Sequence, residues 1–221
     1  MRSVTLEDIK NNHQIRTYLQ KANEHLDRLG YTEHGFRHAN LTASIAENVM
    51  LRLGYPPREA ELAAMASFLH DIGNVLGRAN HGIAGALLVK DILQGLGMPP
   101  EELVVIIGAI ANHEEEQADP TDRVAAAAIL ADKSDVHRSR VRNPNPATFD
   151  IHDRVNYAVQ HSFLRVEEER KAITLELTID TQISQIMEYF EIFLSRMVAC
   201  RRAGEVLGCT FGLKFNGVKL L

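Results

Sequence analysis

The sequence predicts a mainly α protein, a helical bundle followed by a small antiparallel β-sheet with one helix. Through about residue 160, apolar residues recur at steps of three and four, which is typical of helices with one buried face. Gly or Pro residues separate these runs. At Ile173–Ile179 the period changes to two, which is the pattern of a strand. We therefore predict a helical domain over residues 1–160 and a small α+β extension over residues 161–221.

The helical part divides into seven predicted helices. The His70-Asp71 pair closes the third of them, and we expect Gly73 to break that helix just after the pair. Asn80 is the expected N-cap of the fourth. The seven predictions are Val4–Leu29, Glu33–Leu53, Pro57–His70, a run starting after Asn80, Glu101–His113, an alanine-rich run after Asp119-Pro120, and Ile151 to about Gln160.

The extension is predicted to contain three strands and a helix. Phe163–Glu168 is the expected hairpin partner of Ile173–Ile179, and Thr181 to about Ala203 returns to the helical period. Phe211–Phe215 alternates again before the turn-forming Asn216-Gly217. Because this segment shows no obvious chemistry, we expect it to pack against the helical body or to form a homodimer.

Composition excludes several classes of function. A net charge of -5 and a pI of about 6.1 argue against binding to nucleic acid or to a membrane surface. No apolar run is long enough for a transmembrane helix, and Met1–Lys10 lacks the apolar core of a signal peptide. With two cysteines, expected to be reduced, the prediction is a cytoplasmic protein.

Six ionisable residues fall on otherwise apolar or small-residue stripes of five predicted helices. Burying them without partners would cost several kcal/mol each, and one shared cation would satisfy their lone pairs together. Taken singly, each could be an ordinary core or surface residue; His81 could face solvent at a helix start, and His113 could complement a helix C-terminus. As a set they predict a metal site: His38, His70, Asp71, His81, His113 and Asp132.

The order of these residues resembles a known family. His38, then His70-Asp71, then Asp132 matches the H…HD…D pattern of the HD-domain metal-dependent phosphohydrolases over roughly residues 33–140. The resemblance implies an all-α fold that holds one divalent metal with these four residues. His81 and His113 resemble the second-metal histidines of the binuclear branch, which includes the symmetrical dinucleoside tetraphosphatases. Asp71 would then bridge the two ions.

Two other groups of the family fit less well, one of them, the HD-GYP proteins, from the same binuclear branch. The Gly-Tyr-Pro segment of the HD-GYP cyclic dinucleotide phosphodiesterases is replaced by Glu114–Gln117, and the Glu-Asp motif of the alarmone hydrolases is missing after Asp71. Many relatives carry Lys where this chain has Asn74. One usual phosphate-binding cation is therefore absent from that position.

The resemblance implies hydrolysis of a phosphoester or phosphoanhydride in a small phosphorylated metabolite, with a nucleotide or dinucleotide favoured. The nucleophile would be a hydroxide activated by one or two divalent ions. Ligands of N and O alone favour Fe or Mn, with Co, Ni, Zn and Mg as alternatives. Two other readings remain: a di-iron oxygenase on the same ligand set, and a nucleotide sensor without turnover.

Further residues near the predicted ligands are expected to have roles other than metal binding. Besides Asp71, the predicted catalytic residues are Lys133 and Arg138, which would bind phosphate, and His34, which would donate a proton or support His38. Asp135 is expected to orient a ligand or to form a local salt bridge. Arg140 and Arg142 are expected either to lie on the surface or to bind phosphate. Surface or capping roles are expected for Glu114–Glu116, His152 and Asp153.

Overall fold

In the computed structural model, residues 3–114 and 119–220 are described, and they confirm the mainly α class. The helices are α1 Leu6–Asn11, α2 His13–Arg28, α3 Phe36–Arg52, α4 Pro57–Leu69, α5 His81–Gly95, α6 Pro100–Ala111, α7 Arg123–Ser134, α8 Ile151–Ala158 and α9 Ile186–Val206. Short 3-10 segments lie at His70–Val75, Arg138–Arg140 and Pro146–Thr148. The strands are β1 Val159–Glu167, β2 Ala172–Ile179, β3 Thr210–Phe215 and β4 Val218–Lys219.

Helix α7 lies at the centre of the helical body. Every residue from Val124 to Ser134 is buried, and five of them are alanines. Because alanine adds little bulk, α3, α4, α6 and α9 can all pack against this helix. Asp122 starts α7 by accepting a hydrogen bond from the backbone N–H of Ala125 at 2.9 Å. This packing brings Asp132 into the interior.

The prediction of one helix over Val4–Leu29 is wrong. The chain leaves the helical conformation at Asn12, where ψ is 121°. The Asn12 side chain accepts a hydrogen bond from the backbone N–H of Ile15 at 3.1 Å and so caps the start of α2. Asn can satisfy backbone donors outside a helix, and here this local bond outweighs the continuous apolar period.

Gly73 does not end a helix. Helix α4 ends at Leu69, and a 3-10 segment continues through Gly73 to Val75. A Cβ atom at Gly73 would lie 1.9 Å from the carbonyl oxygen of His81 and 2.5 Å from the nitrogen of Gly85. The missing side chain is therefore what lets α5 approach and places His81 beside Asp71. Asn80 does precede α5, but with φ of 55° and without a capping bond from its side chain.

The sheet is mixed rather than antiparallel throughout. Its order is β1-β2-β3-β4, with β1 and β2 antiparallel as predicted. Strands β2 and β3 are parallel, with Leu175 opposite Leu213, because α9 carries the chain back across the sheet between them. Asn216 and Gly217 both have positive φ and form the turn into β4.

The extension packs on the body. Helix α9 contacts α7, and the buried apolar side chains of both parts form one continuous cluster. The domain boundary at residue 160 and the homodimer stay predictions. Cys200 and Cys209 are buried and free. Within 3–114 and 119–220, no helix combines the length and apolar character needed to cross a bilayer. The cytoplasmic location stays a prediction.

Candidate metal centre

Six predicted ligands from five parts of the chain converge in the interior. All are buried, with at most 9% of any residue exposed. Their nitrogen and oxygen atoms form three groups, and within each group all the atoms lie within 4.8 Å of one another. The groups are His38, His70 and Asp71; His70, His113 and Asp132; and Asp71, His81 and His113.

Each imidazole is held by its Nδ1 atom. His70 donates from Nδ1 to the carbonyl oxygen of Ser67 at 2.7 Å, and His113 donates to that of Ile110 at 2.7 Å. The Nδ1 of His81 lies 3.0 Å from the carbonyl oxygen of Arg78. Since a carbonyl oxygen only accepts, these rings carry their proton on Nδ1, and each neutral ring has a lone pair at Nε2.

The Nε2 atoms meet in two pairs. His38 and His70 are 3.2 Å apart at Nε2, and His81 and His113 are 3.0 Å apart. Two lone pairs at this distance repel unless a cation lies between them. Without metal, a proton on His70 takes this part: burial lowers the pKa of His70, but Asp71 and Asp132 outweigh it and raise the pKa to about 10.

Asp71 lies between the two pairs. Its Oδ2 is 3.2 Å from Nε2 of His70 and 3.6 Å from Nε2 of His38, whereas its Oδ1 is 3.4 Å from Nε2 of His81. Oδ1 also accepts a hydrogen bond from Asn74 at 2.8 Å. Oδ2 is buried without a hydrogen-bond partner of good geometry. A buried carboxylate oxygen without a donor fits a bound cation.

We call His38, His70, Asp71 and Asp132 the first half of the candidate centre, and Asp71, His81 and His113 the second half. Asp132 completes the first half. Its Oδ1 lies 3.3 Å from Nε2 of His38, and its Oδ2 is 2.6 Å from Nζ of Lys133. Burial would raise the pKa of both carboxyl groups. Lys133 and His70 instead hold the pKa of Asp132 well below its usual range, and His70 does the same for Asp71. Two buried anions and four imidazoles therefore face one another.

Asp135 supports His38 from the outside. Its Oδ2 lies 2.6 Å from Nδ1 of His38 and accepts a 2.7 Å hydrogen bond from Arg37. Burial raises the pKa of Asp135, but Arg140, His38 and Arg37 together lower it below its usual range. Both expected roles of Asp135 thus occur together: it contacts a predicted ligand and forms salt bridges.

A cavity of about 520 Å³ opens over the centre, within the usual size of small-molecule sites. Four predicted ligands reach its wall: Asp71, His81, His113 and Asp132. Four cationic side chains also line it: Arg78, Lys133, Arg140 and Arg196. The cavity therefore joins the candidate metal centre to groups that can bind an anion.

Lys133 and His34 line this cavity, as expected of catalytic residues, but Arg138 does not. Helix α7 ends at Ser134, and Arg138–Arg140 form a separate 3-10 turn after it. The Arg138 guanidinium carbon lies 5.3 Å from the ring centre of Tyr157, while Arg140 reaches the cavity. Arg140 also donates to the backbone oxygens of Glu33 and Asp135, so it holds this loop in place.

His34 is neutral in this setting. Burial and the charge of Arg140 lower its pKa well below the ordinary value, and its Nδ1 donates to the carbonyl oxygen of Thr32 at 2.6 Å. The remaining Nε2 carries a lone pair. A neutral His34 therefore suits proton acceptance better than the proton donation expected from the sequence.

Several cavity residues were not expected there. The extension, whose sequence shows no obvious chemistry, contributes Arg196 and Phe193 of α9 to the cavity wall. His152 and Asp153 line it too, and the cap of α8 is Asp150. No local pattern marks these residues, because only the packing of α8 and α9 brings them to the cavity.

Glu114 was expected to be solvated. Instead its Oε1 accepts a hydrogen bond from the backbone N–H of Gly82 at 2.7 Å and lies 3.3 Å from Nδ1 of His81. Glu114 therefore contacts the start of α5 next to a predicted ligand. The rest of that acidic run, Glu115–Glu116, lies outside the described residues.

Comparison with known proteins agrees with this geometry. Residues 31–137 match the HD domain, a stretch that contains all six converging residues. This matched stretch, just under half of the chain, is therefore similar to an HD domain. Over 207 residues, 82% of this chain and 79% of the relative, it is 25% identical to Uncharacterized protein MJ1020 of Methanocaldococcus jannaschii.

Proposed function

We propose that this protein is a phosphohydrolase with a two-ion metal centre, acting on a small phosphorylated metabolite and most readily on a nucleotide or dinucleotide. One observation carries the proposal. The two oxygens of Asp71 face two separate histidine pairs, directly below a cavity lined by four cations. A carboxylate that could contact both ions and a cationic pocket would suit hydrolysis of a phosphoester.

The described residues supply ligands for two ions. His38, His70, Asp71 and Asp132 would hold one, and Asp71, His81 and His113 would hold the other. The set contains no thiolate, which favours Fe or Mn over softer metals. When bound, such ions polarise phosphoryl oxygens and lower the pKa of a coordinated water.

The chain itself would position the substrate. Lys133 touches Asp132 and lines the cavity, so one ammonium group can both hold a ligand and attract a phosphoryl oxygen. Arg196 lies over the ring of Phe193, with its guanidinium carbon 4.2 Å from the ring centre. That guanidinium can receive a second anionic group. Neutral His34 can accept a proton within the same cavity.

The remaining wall supports an organic phosphate over a bare polyphosphate. Asp150, Asp153 and Asn156 line the cavity with acidic and amide groups. These groups can accept hydrogen bonds from sugar hydroxyls or base amines, whereas the carboxylates repel additional phosphates. A nucleoside part of the substrate fits both properties.

The test is a phosphate-release screen with Mn- and Fe-loaded protein. The panel contains nucleoside mono-, di- and triphosphates, dinucleoside polyphosphates and cyclic dinucleotides. Asp71→Asn is the matched control, because it keeps the shape of the side chain and removes its charge. We expect turnover of one substrate class that falls about a thousandfold or more in Asp71→Asn.

Two results would contradict the proposal. Metal-loaded protein that releases no phosphate from any member of the panel would do so, and so would activity that survives Asp71→Asn. In the first case, oxygen consumption by the Fe-loaded protein would indicate an oxygenase, and binding without turnover would indicate a sensor.

A further inference from the structure

Arg78 lies on the second half of the candidate centre. One of its guanidinium nitrogens, Nη1, is 3.3 Å from Nε2 of His81 and 3.7 Å from Oδ1 of Asp71. The same nitrogen donates to Oδ1 of Asn74 at 3.3 Å, and Asn74 in turn donates to Asp71. Arg78 is thus in direct contact with two atoms that would bind the second ion.

The contact with His81 excludes a metal from that nitrogen. His81 donates its Nδ1 proton to the carbonyl oxygen of Arg78, so the one lone pair of the neutral ring is at Nε2. An N–H of Arg78 uses this lone pair in the structure. A metal ion needs the same lone pair, so the ion and this guanidinium contact cannot occur together.

Charge adds to the competition. A guanidinium carries a positive charge, and close to Asp71 it repels a dication at short range. The first half of the centre also has cations beside it, but they contact other atoms. Arg37 and Arg140 contact Asp135, and Nζ of Lys133 contacts Oδ2 of Asp132, whereas Oδ1 of Asp132 faces Nε2 of His38. The two halves therefore have the same kinds of ligand, but among the described residues only in the second half does a guanidinium compete with the metal ion for a histidine Nε2 atom.

Arg78 has room to move away. Its side chain is 35% exposed and lines the cavity, with the guanidinium carbon 5.6 Å from the ring centre of Tyr31. A guanidinium displaced from His81 can therefore stay in the cavity, over an aromatic ring. There it can form paired hydrogen bonds with a phosphate group.

We infer that Arg78 makes the two metal positions unequal in affinity, because it weakens binding of the second ion. When that ion binds, it displaces Arg78 into the cavity, where Arg78 contacts the substrate phosphate. This inference rests on the two-ion centre proposed above. It predicts one tightly bound ion and one weakly bound ion in the wild-type protein.

The experiment is a Mn²⁺ titration by equilibrium dialysis, with bound metal measured on wild type and Arg78→Met. We expect the second ion to bind about tenfold tighter or more in Arg78→Met, with the first ion changed little. Arg78→Lys, which keeps the charge but loses the planar fork, should fall between the two. Arg196→Met is the matched control, because it removes an arginine from the same cavity and should leave both metal affinities unchanged.

Unchanged or weaker binding of the second ion in Arg78→Met would overturn this inference and leave the two-ion centre standing. If wild type and every variant bind only one ion, both this inference and the proposed two-ion centre are wrong. Tight binding of the first ion serves as the check that each variant is folded.

Discussion

The Nδ1 atom of His38 lies 2.6 Å from the Oδ2 atom of Asp135, and both side chains are buried. Asp135 follows the predicted ligand Asp132 by three residues at the end of α7. The same helix end therefore supplies one candidate ligand and orients another on α3. A carboxylate behind an imidazole fixes the ring and increases its basicity toward a metal.

We expect Asp135→Asn to weaken binding of the first metal ion about 10- to 100-fold, because the amide keeps the shape of the side chain but loses the charge behind His38. Mn²⁺ titration of the folded variant measures this. Asp91→Asn, an exposed change on α5, is the control. Wild-type metal affinity in Asp135→Asn would show that Asp135 serves only the salt bridges.

Gly73→Ala should disturb the contact that places His81. The added Cβ would lie 1.9 Å from a backbone oxygen of α5, so the helix must shift. We expect the free energy of unfolding in urea to fall by about 1–3 kcal/mol, together with weaker binding of the second ion.

Gly108→Ala provides the matched control for Gly73. Gly108 lies inside α6, and a Cβ there would meet no atom within 4 Å. This change should raise stability by about 0.5–1 kcal/mol, because alanine favours a helix interior over glycine. Equal effects of the two substitutions would contradict the close-packing explanation.

Arg196→Met tests the contribution of the extension. If Arg196 receives an anionic part of the substrate, KM should rise about tenfold with kcat changed little, because the contact is made equally in the ground and transition states. Steady-state kinetics on the substrate found in the screen measures both constants. Arg201→Met, an exposed position on the same helix, should leave KM unchanged.

The lowered pKa of Glu188 predicts that the stability of the fold depends on pH. Hydrogen bonds from Arg154 and Ser184 lower the pKa of this carboxyl from its ordinary value of 4.5 to about 2. A lowered folded-state pKa stabilises the fold above the ordinary value, and the stabilisation is lost as the pH falls toward 2. Urea unfolding of metal-free protein should therefore show wild type more stable than Glu188→Gln at pH 6, with a smaller difference near pH 3. A difference that does not change with pH would contradict this role.

The sequence by itself determined the helical body and the identity of the candidate ligands. His38 and Asp132 each interrupt a stripe of apolar or small residues, so their burial could be predicted from spacing, whereas spacing left His81 open to solvent exposure at a helix start. Local chain signals of this kind are visible because a helix repeats within a few residues. The split at Asn12 was missed because a single side-chain hydrogen bond ended a helix whose apolar period continued.

Only the tertiary structure decided how these parts meet. The parallel pairing of β2 with β3, the contact of His38 with Asp135 and the arrival of Arg196 at the cavity all join elements that pack in three dimensions. Arg138 and Arg140 are two residues apart, yet only Arg140 reaches the cavity, because the chain turns after α7. Periodicity reports which face of an element is buried, but it does not report which distant element covers that face. The candidate ligands and Lys133 could therefore be predicted from the sequence, whereas the other surrounding charges that would set metal affinity and substrate choice could not.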